Sequence, residues 1–297
     1  MNVTLKQTNN FRDSILQIDM GKAIFVTKAS GEREAFNTQK LRGSLQRAGA
    51  GKEIIDEIVA DLLDWAVDGV TTKKIYSRAF TLLRRKKGGS AIRYKLKRAI
   101  MELGPTGYPF EHFVGIIFKK QGYDVEVGQV LQGNCVTHEM DVIANKKKTQ
   151  ILVECKYHQY QGKQVSVQVP LYVRSRVDDI IRKRMSLPEY KGFSYQGWIV
   201  TNTRFTADSI QFSKCAGLKL IGWDYPAGHG LKELIEREKI FPVTILSRLT
   251  KKEKQTLLEG EIVTCSELRG KLDILDTFEF SRRKQKAIIQ DLNDICN

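Results

Sequence analysis

The sequence predicts a multidomain chain: an α+β N-terminal unit (a hairpin plus a helical bundle), a central α/β core, and a small, mainly helical C-terminal region. Three observations lead there. Helical and strand-like runs follow one another in the order αβββαβαβ only in the central stretch. Gly104-Pro105-Thr106-Gly107 interrupts the pattern just before it. The positive charge is unevenly spread, with 20 basic against 11 acidic residues (+9) in 1–103, 19 against 14 (+5) in 104–239, and 10 against 9 (+1) in 240–297.

The N-terminal unit, residues 20–103, opens on the strand-like run Ala23 to Lys28, the turn Ala29-Ser30-Gly31 and a second short strand around Glu34 to Phe36. Apolar spacing predicts helices over Lys40–Ala48, Ile54–Val67, Lys73–Leu83 and Ala91–Leu103. In the central unit, residues 107–226, Phe110, Phe113, Val114, Ile117 and Phe118 recur at i, i+3, i+4, i+7 and i+8, an amphipathic helix closed by Gly122. Strands follow at 123–131, 138–144 and 150–157, a helix within 164–184, a strand at 196–201, a helix at 206–215 and a strand at 218–223. Residues 240–297 read as helices, with Glu259-Gly260-Glu261 as a tight turn between two of them.

Composition excludes several classes. At 41% hydrophobic and 28% charged residues over 297 positions, the chain has material for cores and is not wholesale disordered. Its longest apolar stretches fall far short of the roughly 20 residues of a membrane span, and Met1 to Asn10 lack the plan of a secretory signal. Five cysteines without a C-x-x-C pair argue for reduced thiols and a cytoplasmic setting. The net charge of +15 points to a polyanionic partner. The densest basic block, Arg84 to Lys87 and then Arg93, Lys95, Lys97 and Arg98, predicts a cationic helix rim through the i, i+4 pair Arg93 and Lys97.

The chemistry concentrates in residues 138–157. Glu139 and Asp141 are two apart and are expected on one sheet face; Glu154 and Lys156 are likewise paired, with Cys155 on the opposite face. The turn Asn145 to Thr149 lets the strands form a hairpin, so Asp141 and Glu154 converge with Lys156 beside them. Two carboxylates suit a hard divalent ion, which lowers the pKa of a bound water and stabilises charge on a phosphodiester. A neighbouring ammonium orients that water or offsets the developing charge. Glu111, on the first helix of this unit, is a candidate further carboxylate. The apolar Ile151-Leu152-Val153 marks a buried strand, and charge at the end of a buried strand needs a purpose.

Asp141, Glu154-Cys155-Lys156 and the helix bearing Glu111 resemble the PD-(D/E)XK nuclease superfamily. More closely, Phe110-Glu111, Gly122-Tyr123, Asp141, Glu154 to Lys156, Val200-Thr201-Asn202, Arg204-Phe205 and Gly217 to Ile221 resemble the Mrr-like restriction endonuclease domain. The resemblance implies metal-dependent DNA cleavage, with Asp141 and Glu154 as ligands of Mg2+ or Mn2+, Lys156 as the catalytic lysine, and Gln168 of the next helix as a further site residue. Residues 26–37 with Lys40-Leu41 resemble the ATP-cone, a regulatory nucleotide-binding domain. This resemblance implies ATP or dATP as a regulatory ligand, held by Lys28, Glu34, Asn37, Lys40 and Thr72. By contrast, Gly49 to Glu53 is a false phosphate loop: Gln46 stands where its first glycine belongs, and Glu53 where Ser or Thr would bind magnesium.

The expected function is therefore a restriction-type DNA endonuclease regulated by nucleotide. Its rival is a non-enzymatic, nucleotide-responsive DNA-binding regulator. The expected partners are DNA and a nucleotide effector, with no membrane; a homo-oligomer is compatible with the sequence. His138, beside Glu139, is a candidate to assist metal chemistry but is expected to be structural or exposed, and His112 and His158, without ligand spacing, are expected to have no catalytic role. Trp198 and Trp223 are expected in the core. The C-terminal helices, with Arg282-Arg283-Lys284, suit either contact with the DNA backbone or packing.

Overall fold

The computed structural model describes residues 24–28, 31–86, 90 and 94–296. Met1 to Asn10, Ala23, Ala29, Ser30, Lys87, Ala91 and Arg93, which enter the expectations above, lie outside them. At the N-terminus, β1 (Phe25–Thr27) pairs antiparallel with β2 (Arg33–Ala35) and parallel with β3 (Val70–Thr71). The hairpin is the one expected, whereas β3 is too short to show a periodicity. Helices α1 (Thr38–Arg47), α2 (Lys52–Trp65) and α3 (Thr72–Lys86) pack their apolar stripes together through Leu45, Ile58, Leu62 and Leu83. Asn37 starts α1 as its N-cap, its Oδ1 accepting the Lys40 amide at 3.0 Å.

Helix α4 (Leu96–Met101) leaves this bundle. Leu96, Ala99, Ile100 and Leu103 belong to a second core, shared with the central and C-terminal parts of the chain. The cationic rim expected here is corrected by that packing. Lys97 Nζ donates to the Asn202 carbonyl at 2.9 Å and lies 4.3 Å from the centre of the Trp223 ring, and burial pushes its pKa down to about 8. Its neighbour Lys95 reaches Ser247 Oγ at 3.1 Å, and Arg98 pairs with Glu102. A run of basic residues in sequence carries no information about which of them a neighbouring unit covers.

The central unit begins with α5 (Tyr108–Lys120), β4 (Asp124–Gln132), β5 (Thr137–Lys146) and β6 (Thr149–Lys156). It continues through β7 (Gln164–Val165), α6 (Gln168–Met185), β8 (Ser194–Thr201), β9 (Arg204–Phe205), α7 (Ala207–Cys215) and β10 (Lys219–Ile221). The main sheet has the order β10-β8-β6-β5-β4; β7 and β9 pair separately, in parallel. β6 is antiparallel to β5 and parallel to β8, and its central place explains its buried run Gln150 to Cys155. On one face Ile151, Val153 and Cys155 meet α5; on the other, Leu152 meets Val173 and Val177 of α6. Phe110 and Phe113 of α5 are fully buried, each contributing on the order of 2–3 kcal/mol by removal from water.

The C-terminal region comprises α8 (Leu231–Glu238), α9 (Lys251–Glu259), α10 (Cys265–Gly270), a 3-10 segment Leu272–Phe278 and α11 (Arg282–Cys296). Capping boxes, Thr250 with Glu253 and Thr264 with Glu267, start α9 and α10. The turn expected at Glu259 to Glu261 ends α9, with Glu261 left-handed at φ 59°. Leu257, Leu268, Ile288 and Leu292 join the core on the α5 side of the sheet. This region therefore buries its apolar face against the central unit. No helix among the described residues is long and apolar enough to cross a membrane.

Candidate active site

The β5–β6 ladder ends with Val142 opposite Val153, and the next residues outward are Asp141 and Glu154. Asp141 lies between the strands: its Oδ2 accepts the Cys155 amide at 2.6 Å, doing the work of a main-chain acceptor where the ladder has stopped. Glu154 points to the α6 side and is 6% exposed. Its Oε1 accepts from the Tyr172 hydroxyl at 2.6 Å and its Oε2 from Arg176 at 3.0 Å. Lys156 closes β6, half-buried, opposite Thr201 of β8; its carbonyl accepts the Thr201 hydroxyl at 2.6 Å. Cys155, as expected, faces the core, and burial pushes its thiol well up.

The expectation that Glu139 and Asp141 share a face rests on strict alternation, and alternation fails here. Met140 and Ile143, three apart, both enter the α6-side core, while Val142 and Ala144 enter the other. The break has a counterpart across the ladder. β4 pairs through Val127 with Val142 and through Gln129 with Met140, and between them Gly128 takes a φ of 63°. Gly128 stands opposite Asp141, and there the ladder skips one pair while keeping its register.

Charge at these strand ends is out of balance. Burial, and then the Glu154 carboxylate, push the Asp141 carboxyl up to about 7; Glu111 adds to the rise, while the Cys155 amide and Arg176 oppose it. Glu111, in the first turn of α5, is raised by burial and then by Glu139 and Glu154. The strand ends and α5 thus bring Glu111 within electrostatic reach of Glu139, Asp141 and Glu154, and Asp141 within reach of Glu154. Among the described residues no three His, Cys, Asp or Glu side chains close around one point. The donor set still fits a hard divalent ion, which is commonly held by one or two carboxylates while water and phosphate oxygens complete its shell.

Gln168 is exposed at the first position of α6, one turn before Tyr172; the structure gives it no hydrogen bond to the cluster. Tyr172 and Arg176 are the residues that sequence reasoning missed. The signal was present: Gln168, Tyr172 and Arg176 recur every four residues and so lie along one helix face. The histidines are held structurally. His138 Nε2 bonds Asp179 Oδ2 at 2.8 Å, His158 Nδ1 bonds Thr203 Oγ1 at 2.7 Å, and His112 Nε2 bonds the Tyr108 hydroxyl at 2.9 Å. Trp198 packs edge-on to Phe118 within the core, and Trp223 lies under Lys97.

At the N-terminal hairpin, Lys28 Nζ lies 2.9 Å from Glu34 Oε2 and Lys40 Nζ lies 3.8 Å from the same oxygen. Glu34 and then Glu32 raise the Lys28 pKa, and Lys28 lowers that of Glu34. Thr72 follows Thr71, which pairs with Thr27 beside Lys28, so it stands at the same end of the small sheet. Asn37 is present too, with its side-chain oxygen engaged as the α1 cap. Lys28, Glu34 and Lys40 pair with one another and Thr72 stands at the Lys28 end of the sheet, whereas Asn37 lies past the opposite end of the hairpin, where it caps α1.

Residues 104–225 match the restriction endonuclease family, and residues 241–296 match the AF1548-like C-terminal family. Over 152 residues the chain is 31% identical to an uncharacterized protein of Archaeoglobus fulgidus, spanning 51% of this chain and 81% of the relative. The chain belongs to that protein's family. The chain also resembles the crystal structure of AF1548, a protein of unknown function, with a TM-score of 0.53 at 27% identity over 64% of this chain and 98% of that one. A solved complex of the MspJI restriction endonuclease with an oligonucleotide is similar at a TM-score of 0.29, 14% identity and 61% and 40% coverage, too slight a likeness to bear on this chain. Both family matches lie after residue 103, so the N-terminal unit is read from its own residues.

Proposed function

We propose that this chain is a DNA endonuclease of restriction type, dependent on Mg2+ or Mn2+ and regulated by ATP or dATP. The observation that carries the reading is the charge imbalance of Glu111, Asp141 and Glu154 at the strand ends of a restriction endonuclease domain, where Lys156 closes β6 two residues after Glu154. Asp141 and Glu154 would hold the ion, which, when bound, polarises the phosphodiester and lowers the pKa of its water. Asp141 must be deprotonated to serve, so a carboxyl titrating near 7 is poised between the two forms. Tyr172 and Arg176 fix the Glu154 carboxylate from the α6 side and set its orientation. Lys156, two residues on along β6, offers its ammonium to the phosphate oxygen on which negative charge grows as water attacks. At the N-terminal unit, a triphosphate would draw Lys28 and Lys40 away from Glu34, with Thr72 beside them.

The second reading, a nucleotide-responsive DNA-binding regulator without catalysis, is favoured by one contact: Arg176 already compensates Glu154. Cleavage of methylated and unmethylated plasmid with Mg2+, with and without ATP, separates the two. The endonuclease reading expects nicked or linear product from wild type and its loss in Lys156→Ala. Equal product from both proteins would remove Lys156 from the chemistry, and no product from either would leave the regulator.

A further inference from the structure

The apolar cavity of about 580 Å3 between α5, α8 and the β8–β10 edge includes Trp198, Leu231 and Leu234 and has no carboxylate in its lining, so it stands apart from the strand-end cluster. A second cleft, about 880 Å3, differs in character. It lies where α4, the segment after β6 and the C-terminal region meet. Its lining includes Lys95, Arg98, Lys251 and Lys254 against Glu102 and Glu259. Glu102 is already occupied, with Arg98 and Lys254 each at 2.8 Å, so Lys95 and Lys251 have no carboxylate partner among the described residues. The cations crowd one another: after burial, Arg98 and Lys254 are the next causes that push the Lys95 pKa down. An anion entering the cleft would relieve that repulsion.

The cleft also borders the segment that follows β6, the strand that carries Glu154 and Lys156. Tyr157 and Gln159, the first and third residues after Lys156, line it; Tyr157 donates to the Met101 carbonyl at 2.8 Å and Gln159 to that of Pro105 at 2.9 Å. A polyanion lying across the end of β6 therefore meets these cations next. We propose that this three-way cleft binds the phosphodiester backbone of DNA beside the cleavage site, making the AF1548-like C-terminal region, through α9, part of the DNA-binding surface. The proposal rests on the nuclease reading for its choice of polyanion. The region's net charge of about +1 hid this role, because the cations that matter are those gathered on one side of α9 and on α4.

Charge reversal on α9 tests it. Lys251→Glu places an acid at the first position of that helix, where the helix dipole favours it, so folding is not put at risk. Lys252→Glu makes the same charge change at an exposed residue outside the cleft lining and serves as the control. Affinity for a short fluorescein-labelled duplex is measured by anisotropy in the whole chain, with Ca2+ in place of Mg2+ and across a salt series. Lys251→Glu should bind about tenfold more weakly, equally for unrelated sequences, with the salt slope reduced by about 1, while Lys252→Glu changes affinity by less than about twofold. Equal effects of the two variants, no effect of Lys251→Glu, or no duplex binding by wild type would each overturn the proposal. A chain that binds DNA through Lys251 yet leaves plasmid intact with Mg2+ would keep this inference and sink the nuclease reading.

Discussion

The strand ends of the central sheet and the N-terminal hairpin both collect charged side chains, and they handle them in opposite ways. At the hairpin, Glu34 sits between Lys28 and Lys40, and Lys28 and Glu34 hold each other in their charged forms. At the ends of β5 and β6, burial and the Glu154 carboxylate push both Asp141 and Glu111 up, with Arg176 reaching only Glu154 directly. A balanced site gains little from a ligand until an internal ion pair is given up. An unbalanced, partly buried one is improved by any cation that fits it. The difference suggests tight coupling of the central site to a divalent ion and weaker, competitive binding of nucleotide at the hairpin.

The largest effect that would break this comparison is on cleavage. Glu154→Gln keeps the shape and the contact with Tyr172 while removing the charge, and should lower Mg2+-dependent cleavage about 100-fold or more in single-turnover assays. Near-normal rates would mean that Glu154 is only a structural partner of α6. Next comes stability. Arg176→Gln leaves a buried carboxylate with one neutral donor, and should cost the metal-free chain about 1–3 kcal/mol by urea unfolding, less than a fully buried pair because Arg176 is itself 37% exposed. Added Mg2+ should recover much of the loss; a variant as stable as wild type without metal would show that Glu154 needs no cation. The smallest effect is at the hairpin, where Lys28→Ala should weaken ATP or dATP binding about tenfold by calorimetry and leave the melting temperature nearly unchanged. Unchanged affinity would argue against nucleotide at that end of the unit.

Much of the site could be read from sequence because its signals are local. The lysine run Lys146 to Lys148 at the turn and the apolar Ile151 to Val153 define the β5–β6 hairpin, and its register sets Asp141 against Glu154. What escaped was what distance in sequence conceals. Tyr172 and Arg176 reach Glu154 from 18 and 22 residues away, across a helix whose facing could not be known. The ladder's missing pair at Asp141 falls opposite the left-handed Gly128 of the neighbouring strand. Lys97 reads as surface charge, yet it is covered by Asn202 and Trp223, more than a hundred residues later. The C-terminal region reads as a separate unit, whereas its apolar face completes the core beneath α5.

The most direct test of the claim that the strand-end carboxylates await a divalent ion is a calorimetric titration of Mg2+ into wild type and Asp141→Asn at pH 6 and pH 8. Protons and metal compete for Asp141, and a carboxyl pushed up to about 7 is mostly protonated at the lower pH and mostly free at the higher. Wild type should therefore bind Mg2+ about tenfold more tightly at pH 8 than at pH 6, and Asp141→Asn should bind weakly at both. Equal wild-type affinity at the two pH values, or wild-type binding by Asp141→Asn, would contradict it.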